Sequence, residues 1–376
     1  MKSGTKPGEI DLGLLEQACA RLGDAVIDPA VWPELMADIC AGVGAQAALL
    51  LQSDARTFDV PRTPNFEECA QYYFSNNWHL NDTRAKKGVP LLLAGDSVII
   101  DEDIFTPEDT RRDPFFNDCL LPHDVPWFGA IGFRSGSALW ALSLQRSGRS
   151  GRYSKTDKRV LTTLAPRLSE VATLSAALGG AALNGATTAL GLVGRPALAI
   201  GRFGAVLDVN AMADSLFDDE LSVRNGRLSI RDADARAAFE RFVACAGSTA
   251  DTAALPAHSI VVRRRSKPPV VIGVLPVPAA VRTPFLGARA ILTLTELTPG
   301  RGPNAAVLME SFGMTPAEAK LAAIVAEGVS LEAAAARLGI ARETARAQIK
   351  SVFGKTGTRR QSELAARLAA MFRFGS

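Results

Sequence analysis

The chain has 376 residues, 47% of them hydrophobic and 22% charged, with a formal net charge of +3. That length and balance fit two or three globular domains with real cores, and exclude a chain disordered as a whole. Charge is unevenly placed: residues 305–376 hold ten cations against six acids, which leaves everything before them close to neutral.

Met1 to Leu15 carries Lys2, Lys6, Glu9 and Asp11 and no apolar core of a secretory signal, so a cytoplasmic location is expected. The five cysteines, Cys19, Cys40, Cys69, Cys119 and Cys245, show no C-x-x-C spacing and no nearby histidine pair. They read as free thiols of a reducing compartment, with a redox-sensing thiol as the alternative. Leu12, Leu15, Cys19 and Leu22 repeat at helical spacing, as do Trp32, Leu35, Met36 and Ile39. Strand-like runs follow at 47–51, 98–100, 127–133 and 139–144, the last two joined by Arg134-Ser135-Gly136-Ser137. An amphipathic helix is expected from Ser154 to about Ala177. The stretch Val171–Gly194 has no charge, but its glycines dilute the leucines well below a membrane span, so it reads as a helix end followed by a flexible linker. Antiparallel strands between helices indicate an α+β sensor domain over residues 1–180, similar to GAF and PAS modules.

A second α+β domain is expected over 188–297. Ala197–Ile200 and Ala205–Asp208 are short apolar runs around Arg202-Phe203-Gly204, Asn210–Phe217 is a short helix, and Asn225-Gly226 is a strong hairpin signal between two more short strands. A helix at Asp232–Cys245 precedes strands at 259–265, 270–275 and 290–294. This order, with Gly204, Val206, Asn210 and Ala213 at their spacings, resembles a PAS domain. Pro299–Asn304 is a linker by its breakers.

The tail, 305–376, reads as all-helical. Thr315-Pro316-Ala317-Glu318 combines an N-cap, a first-turn proline and a glutamate three residues on, which is a capping box. Leu321, Ile324 and Val325 give a buried stripe that stops at Gly328. Ser330 can cap a second, alanine-rich helix that ends at Gly339. On the third helix, about 341–353, Ala341, Ala345, Ile349, Val352 and Phe353 fall on one side, and Glu343, Arg346, Ala347, Lys350 and Ser351 on the other. Arg346 and Lys350 stand one turn apart with small Ala347 between them, so this face can enter a major groove and donate to guanine. Arg342, Lys355, Arg359 and Arg360 flank it and suit phosphates. The bland alternative is a solvated charged face.

Met314-Thr315-Pro316-x-Glu318, Ala326-Glu327-Gly328-x-Ser330, Ala335-x-x-Leu338-Gly339-Ile340, Thr344 and Lys355-x-Gly357 together resemble the four-helix helix-turn-helix domain of the LuxR family over about 65 residues. The resemblance implies base contact by Arg346, Ala347 and Lys350, and Arg342 and Thr344 are expected among the DNA-contacting residues beside them. It also implies a homodimer paired through Leu364, Leu368 and Met371 of a last helix, reading an inverted repeat in double-stranded DNA. RNA polymerase is a further expected partner of such a regulator. The chain departs from the pattern at Ala341, Ala345 and Gln348, where the family has serine, a branched residue and histidine; losing the serine cap costs about 1 kcal/mol.

In the front region, Tyr73, Trp78 and Asp82 loosely resemble the aromatic wall and aspartate of the family's lactone-binding domain, with Trp127 and Trp140 as further candidates for a small-molecule site. Aromatic residues of an ordinary core are the alternative. His79, His123 and His258 share no metal spacing, so no metal and no cofactor is expected, and nothing points to an enzyme. Gly354-Lys355-Thr356 imitates a phosphate loop, but a helix covers it and Ile349 stands where the first glycine should be. Arg263-Arg264-Arg265 with Lys267 reads as a solvated strand edge. The expected function is a ligand-controlled transcription regulator. The competing reading is a signalling scaffold whose PAS-like core and helical tail make protein contacts without specific DNA binding.

Overall fold

A computed structural model describes residues 8–53, 58, 61–248, 259–278, 281–297 and 305–372. The first apolar periods form helices α1 (Leu12–Ala20), α2 (Asp24–Ile27) and α3 (Trp32–Val43). Asp11 caps α1 by accepting from the Gly13 and Leu14 N–H groups. The α1–α3 crossing is so close that a Cβ on Gly42 would lie 2.8 Å from the Leu15 backbone nitrogen.

Strand β1 (Ala47–Gln52) is followed by α4 (Glu67–Ser75), α5 (Trp78–Asn81) and α6 (Thr83–Ala94), then β2 (Val98–Ile100), α7 (Asp101–Ile104) and α8 (Pro107–Arg112). A π-helical turn, Phe115–Leu120, leads into β3 (Trp127–Ser135) and β4 (Ala138–Arg146). The four strands form one antiparallel sheet in the order β1-β4-β3-β2. Because side chains alternate along a strand, Trp140, Leu142 and Leu144 join Ile131 and Phe133 on the face that packs against α1 and α3. Ala141, Ser143 and Gln145 point to the other face, towards α4 and α6.

Ser154 caps α9 (Lys155–Thr162), with Asp157 returning the bond to the Ser154 N–H. The chain breaks at Thr163–Leu164 and restarts as α10 (Ala165–Leu192), a 28-residue helix with proline in its first turn. The linker expected over 171–194 is therefore absent. Alanines favour the helix, and contacts with two sheets outweigh the intrinsic cost of its glycines. The Ser135 hydroxyl donates to the Ala172 carbonyl at 3.2 Å, whereas the Asn210 amide donates to the Thr187 carbonyl at 2.9 Å. The expected boundary between residues 180 and 188 lies inside one helix shared by both halves.

The second half contains β5 (Ala197–Gly201), β6 (Val206–Val209), α11 (Ala211–Leu216), the hairpin β7 (Leu221–Arg224) and β8 (Arg227–Ile230), and α12 (Ala233–Ser248). Strands β9 (Ile260–Val262), β10 (Val270–Pro276) and β11 (Ala288–Glu296) complete a five-stranded antiparallel sheet, ordered β6-β5-β11-β10-β9. Asn225 and Gly226 both have positive φ, 51° and 69°, as a two-residue hairpin turn of the twisted kind requires. Phe239 and Phe242 of α12 pack on one face of the sheet with Leu198, Ile272 and Leu292, while Ala197, Ala199 and Ile291 face Leu183 of α10.

Arg264 departs from the solvated edge expected of its arginine run. The chain turns inward after β9, and its guanidinium is fully buried between Asp218, at 3.2 Å, and Glu296. Burial alone would raise the Asp218 pKa, but N–H bonds from Glu220 and Leu221 and the nearby Lys267 ammonium hold it down to about 2.

The tail forms α13 (Ala305–Phe312), α14 (Pro316–Ala326), α15 (Leu331–Leu338), α16 (Arg342–Thr356) and α17 (Gln361–Phe372) around a separate core. The protein is thus mixed α/β with a helical C-terminal region. Among the described residues, no helix is long and apolar enough to cross a membrane.

The two sheets are also clamped from the side. Phe285 sits edge-on to Trp32, Phe133 and Trp140 at 5.5, 6.0 and 5.1 Å, and the Ser175 and Thr283 hydroxyls share a 2.6 Å hydrogen bond. Replacing half-buried Phe285 with alanine is expected to cost about 2–3 kcal/mol, somewhat below the figure for a fully buried ring. Denaturant unfolding followed by tryptophan fluorescence would measure it, and a loss under 0.5 kcal/mol would contradict the clamp.

Candidate functional site

Helix α16 is fixed by what lies behind it. Ala345, Ile349 and Val352 are buried at a 3.5-residue spacing in the tail core, so the opposite face must point outward. Glu343, Thr344, Arg346, Ala347 and Lys350 are exposed on that side, and Arg342 is exposed in the helix's first turn. Glycines in the left-handed region bound the helix on both sides: Gly339 ends α15 at φ 66° and Gly357 ends α16 at φ 66°. No side chain caps α16 at Ala341, whereas Thr315 and Ser330 do cap α14 and α15.

The tie between α14 and α16 is a single carboxylate. Glu318 accepts the Thr315 N–H at 2.7 Å, the Ser351 hydroxyl at 2.6 Å and the Lys355 ammonium at 2.7 Å. Hydrogen bonds from Lys355, Ser351 and the Thr315 N–H hold its pKa down to about 2. Lys355 also donates to the Gly313 carbonyl at 2.8 Å. Its expected place among phosphate contacts is thereby corrected: the ammonium is spent on holding the tail together. Ser351, expected on the outward face, turns inward for the same reason.

Arg346 is paired with Glu343 at 3.0 Å, with both side chains largely exposed at 65% and 81%. Such a pair is worth little in water and is easily exchanged for another acceptor. Arg359 and Arg360 are exposed just past Gly357. The Thr358 hydroxyl pairs with Thr356 at 2.9 Å, and Glu363 accepts the Arg359 N–H at 2.8 Å.

The expected dimerisation residues are placed otherwise. Leu364 and Leu368 are completely buried in the tail's own core, where they help close it over Leu308 and Leu321. A side chain used inside one copy is not free to pair with another. The side chain of Met371 lies outside those described.

In the front half, the outer face of the first sheet, α4, α6 and the π-helical turn line a largely apolar cavity of about 80 Å³. Two of the five expected ligand residues line it. The Tyr73 hydroxyl donates to Asp82 at 2.9 Å, and Asp82 caps α6 by accepting the Ala85 N–H at 2.9 Å. Trp78 does not line the cavity; it packs against Phe115 at 5.8 Å. Trp127 and Trp140 lie on the opposite face of the sheet by strand alternation, the first under the Arg152 guanidinium at 4.4 Å, the second in the core.

The residues that give the cavity its polarity are Arg84, Ser143 and Gln145. Buried Arg84 donates to Gln145 at 2.9 Å and to the Pro126 carbonyl at 2.6 Å, and lies 3.6 Å from Asp101. Its Nε–H has no partner among the described residues. Burial pushes the Asp101 carboxyl up to about 6 against the pull of Arg84 and the Phe128 N–H. Cys69 and Cys119 share the cavity wall; their thiols are hydrogen-bonded, which draws Cys69 down while that bond and burial push Cys119 up. One signal in the sequence marks this wall. On β4, Ser143 and Gln145 are polar at alternate positions of a strand that is apolar from Ala138 to Leu142 and again at Leu144.

Among the described residues, no cluster of three or more His, Cys, Asp or Glu is placed to hold a metal. No family model matches the chain, and no curated protein matches it. Among solved structures it is similar to the phage VqmA–DPO complex, at 13% identity and a TM-score of 0.20, over 50% of this chain and 90% of that one. It is also similar to the E. coli DhaR(N)–DhaL complex, at 13% identity and a TM-score of 0.22, over 78% of this chain and 93% of that one. Likeness at this level carries no argument about fold or function.

Two stability measurements check the two sites. Glu318→Gln should lower the opening free energy of α14 and α16 by about 2 kcal/mol at pH 7, read from amide hydrogen exchange. Because the folded carboxyl titrates near 2 instead of its ordinary 4.5, the contribution is full above about pH 4.5 and disappears as the pH falls towards 2. Wild type and variant should converge there. Tyr73→Phe should cost about 1 kcal/mol in denaturant unfolding by removing the bond to Asp82; an unchanged midpoint would show that this bond contributes nothing.

Proposed function

We propose that the protein is a sequence-specific, DNA-binding transcription regulator of the LuxR type, with α14–α17 as its helix-turn-helix domain and α16 as the reading helix. The observation that carries this reading is the divided surface of α16. Its inner face is locked by Ala345, Ile349, Val352 and the Glu318 network, and its outer face offers Arg346 and Lys350 with only Ala347 between them. A small residue flanked by two cations lets a helix backbone approach base edges while the cations reach guanine O6 and N7. Arg342 and Thr344 at the start of the helix, and Arg359 and Arg360 beyond its end, suit the phosphates on either side. The weak Arg346–Glu343 pair is readily given up to a base.

The front half is read as the sensor. The five-stranded sheet with α11, the β7–β8 hairpin and α12 inserted between its second and third strands supports the PAS-like reading of 188–297. The cavity over the first sheet supports a GAF-like or PAS-like pocket for a small molecule, bounded by Tyr73, Asp82 and Arg84.

Selection of genomic fragments bound by the full chain tests the proposal, with enrichment of a short inverted repeat as the expected result. Affinity should fall linearly on a log–log plot against salt. Arg346→Ala should cost about 1–3 kcal/mol at one base pair and relax the preference there. Lys355→Ala should destabilise the tail and leave the salt slope unchanged. If the folded chain retains no duplex at low ionic strength, the proposal fails.

A further inference from the structure

Cys69 stands on α4 and Cys119 in the π-helical turn, far apart in sequence. Packing brings their thiols into hydrogen-bond contact, and both side chains line the cavity over the first sheet. Both are free and buried. Two touching thiols from different elements are the starting geometry of a disulfide, whose closure draws the sulfurs to about 2.05 Å. The cavity beside them leaves room for that movement.

The two thiols are not alike. The hydrogen bond to Cys119 draws Cys69 down against its burial, with help from the Arg84 guanidinium, while the same bond and burial push Cys119 up. Cys69 is therefore the more readily ionised of the pair, and the thiolate is the nucleophile. Elsewhere burial works unopposed or nearly so: it pushes Cys40 up to about 12 and raises Cys19 despite Arg167.

Cys69 also has a way to the surface. Besides the inner cavity it lines an outer cleft, whose rim carries exposed Glu68, Tyr72, Asp118 and Asp124. Three carboxylates repel an anionic oxidant such as glutathione disulfide and leave a small neutral one free to enter. Hydrogen peroxide has that chemistry.

We propose that Cys69 and Cys119 form a peroxide-reactive dithiol, a site of reversible oxidation to an intramolecular disulfide. The Cys69 thiolate attacks one peroxide oxygen, the O–O bond breaks, and Cys69 becomes a sulfenic acid. The departing hydroxide takes the proton that Cys69 released and leaves as water. The Cys119 sulfur then attacks the Cys69 sulfur; the S–S bond forms, the S–O bond breaks, and the Cys119 proton goes to the departing oxygen as a second water. Two thiols lose two electrons and one peroxide becomes two waters. Thiol–disulfide exchange with a reducing dithiol reverses the change, as suits a transient disulfide in a reducing compartment. The bond ties α4 to the π-helical turn in the cavity wall. None of this depends on the DNA reading.

Peroxide treatment of the folded full chain, followed by trypsin and mass spectrometry, tests the proposal. Cleavage after Arg62, Arg84, Arg112 and Arg134 releases peptides 63–84 and 113–134, each with a single cysteine. They should be recovered joined, lighter by two hydrogen atoms, with two of the five thiols lost and both restored by dithiothreitol. Cys119→Ala should strand Cys69 as a sulfenic acid that dimedone captures, whereas Cys69→Ala should leave Cys119 a free thiol. The wild-type result stands without either variant. Peptides that stay separate, a link that forms only in denaturant, or a sulfenic acid that forms on Cys119 first would overturn the proposal.

Discussion

One helix has to satisfy two sheets at once, and most of the molecule is arranged around that constraint. Over its first half α10 presents Leu168, Ala172 and Ser175 to the four-stranded sheet; over its second half it presents Leu183 and Thr187 to the five-stranded one. On its buried side such a helix has no room for bulky or charged residues where it passes from one sheet to the other, and Ala172, Ser175 and Gly179 stand there. Phe285 fills the remaining gap with an aromatic ring from the second half, set against Trp32, Phe133 and Trp140 of the first. The two sheets are therefore mechanically linked, since they share a helix and a core contact.

Buried charge is handled in the same way in three places. Arg84, Arg264 and Glu318 are each withdrawn from water and each is surrounded by several partners instead of one. A buried ion with a single partner is costly, and additional hydrogen bonds are what make burial tolerable. Around Glu318 the result is rigidity, because its three donors come from the start of α14 and the far end of α16. That rigidity holds the outward face of α16 in one orientation. Around Arg84 the result is different: among the described residues its Nε–H has no partner, and it stands at the wall of an apolar cavity.

Much of the architecture was legible from local signals. Asn225-Gly226, Ser154, Thr315 with Glu318, Ser330 and Gly339 each impose a turn or a cap through their own chemistry, and each is found in that role. The strands expected at 98–100 and 127–133, and the inner stripe of α16, follow from period alone. Helices α4 to α8 and the π-helical turn were not visible, because their short apolar repeats are interrupted by polar residues and are stabilised by contacts distant in sequence. Of the cavity, Tyr73 and Asp82 could be named from a loose resemblance, whereas Arg84 and Gln145 could not, since they lie 61 residues apart and meet only across the sheet.

The amino-acid sequence alone determined where the chain turns, where its helices begin in the tail, and which face of α16 carries cations, because those properties depend on neighbours within a turn or two. Tertiary structure decided the fate of residues whose local setting allows two outcomes. The charge-free run 171–194 is compatible with a linker or a helix until two sheets bury one side of it. Lys355 can be a phosphate contact until Glu318 is brought within 2.7 Å, and Leu364 and Leu368 can pair two chains until the tail closes over them. In each case the deciding partner lies far away in sequence, and only packing brings it into reach.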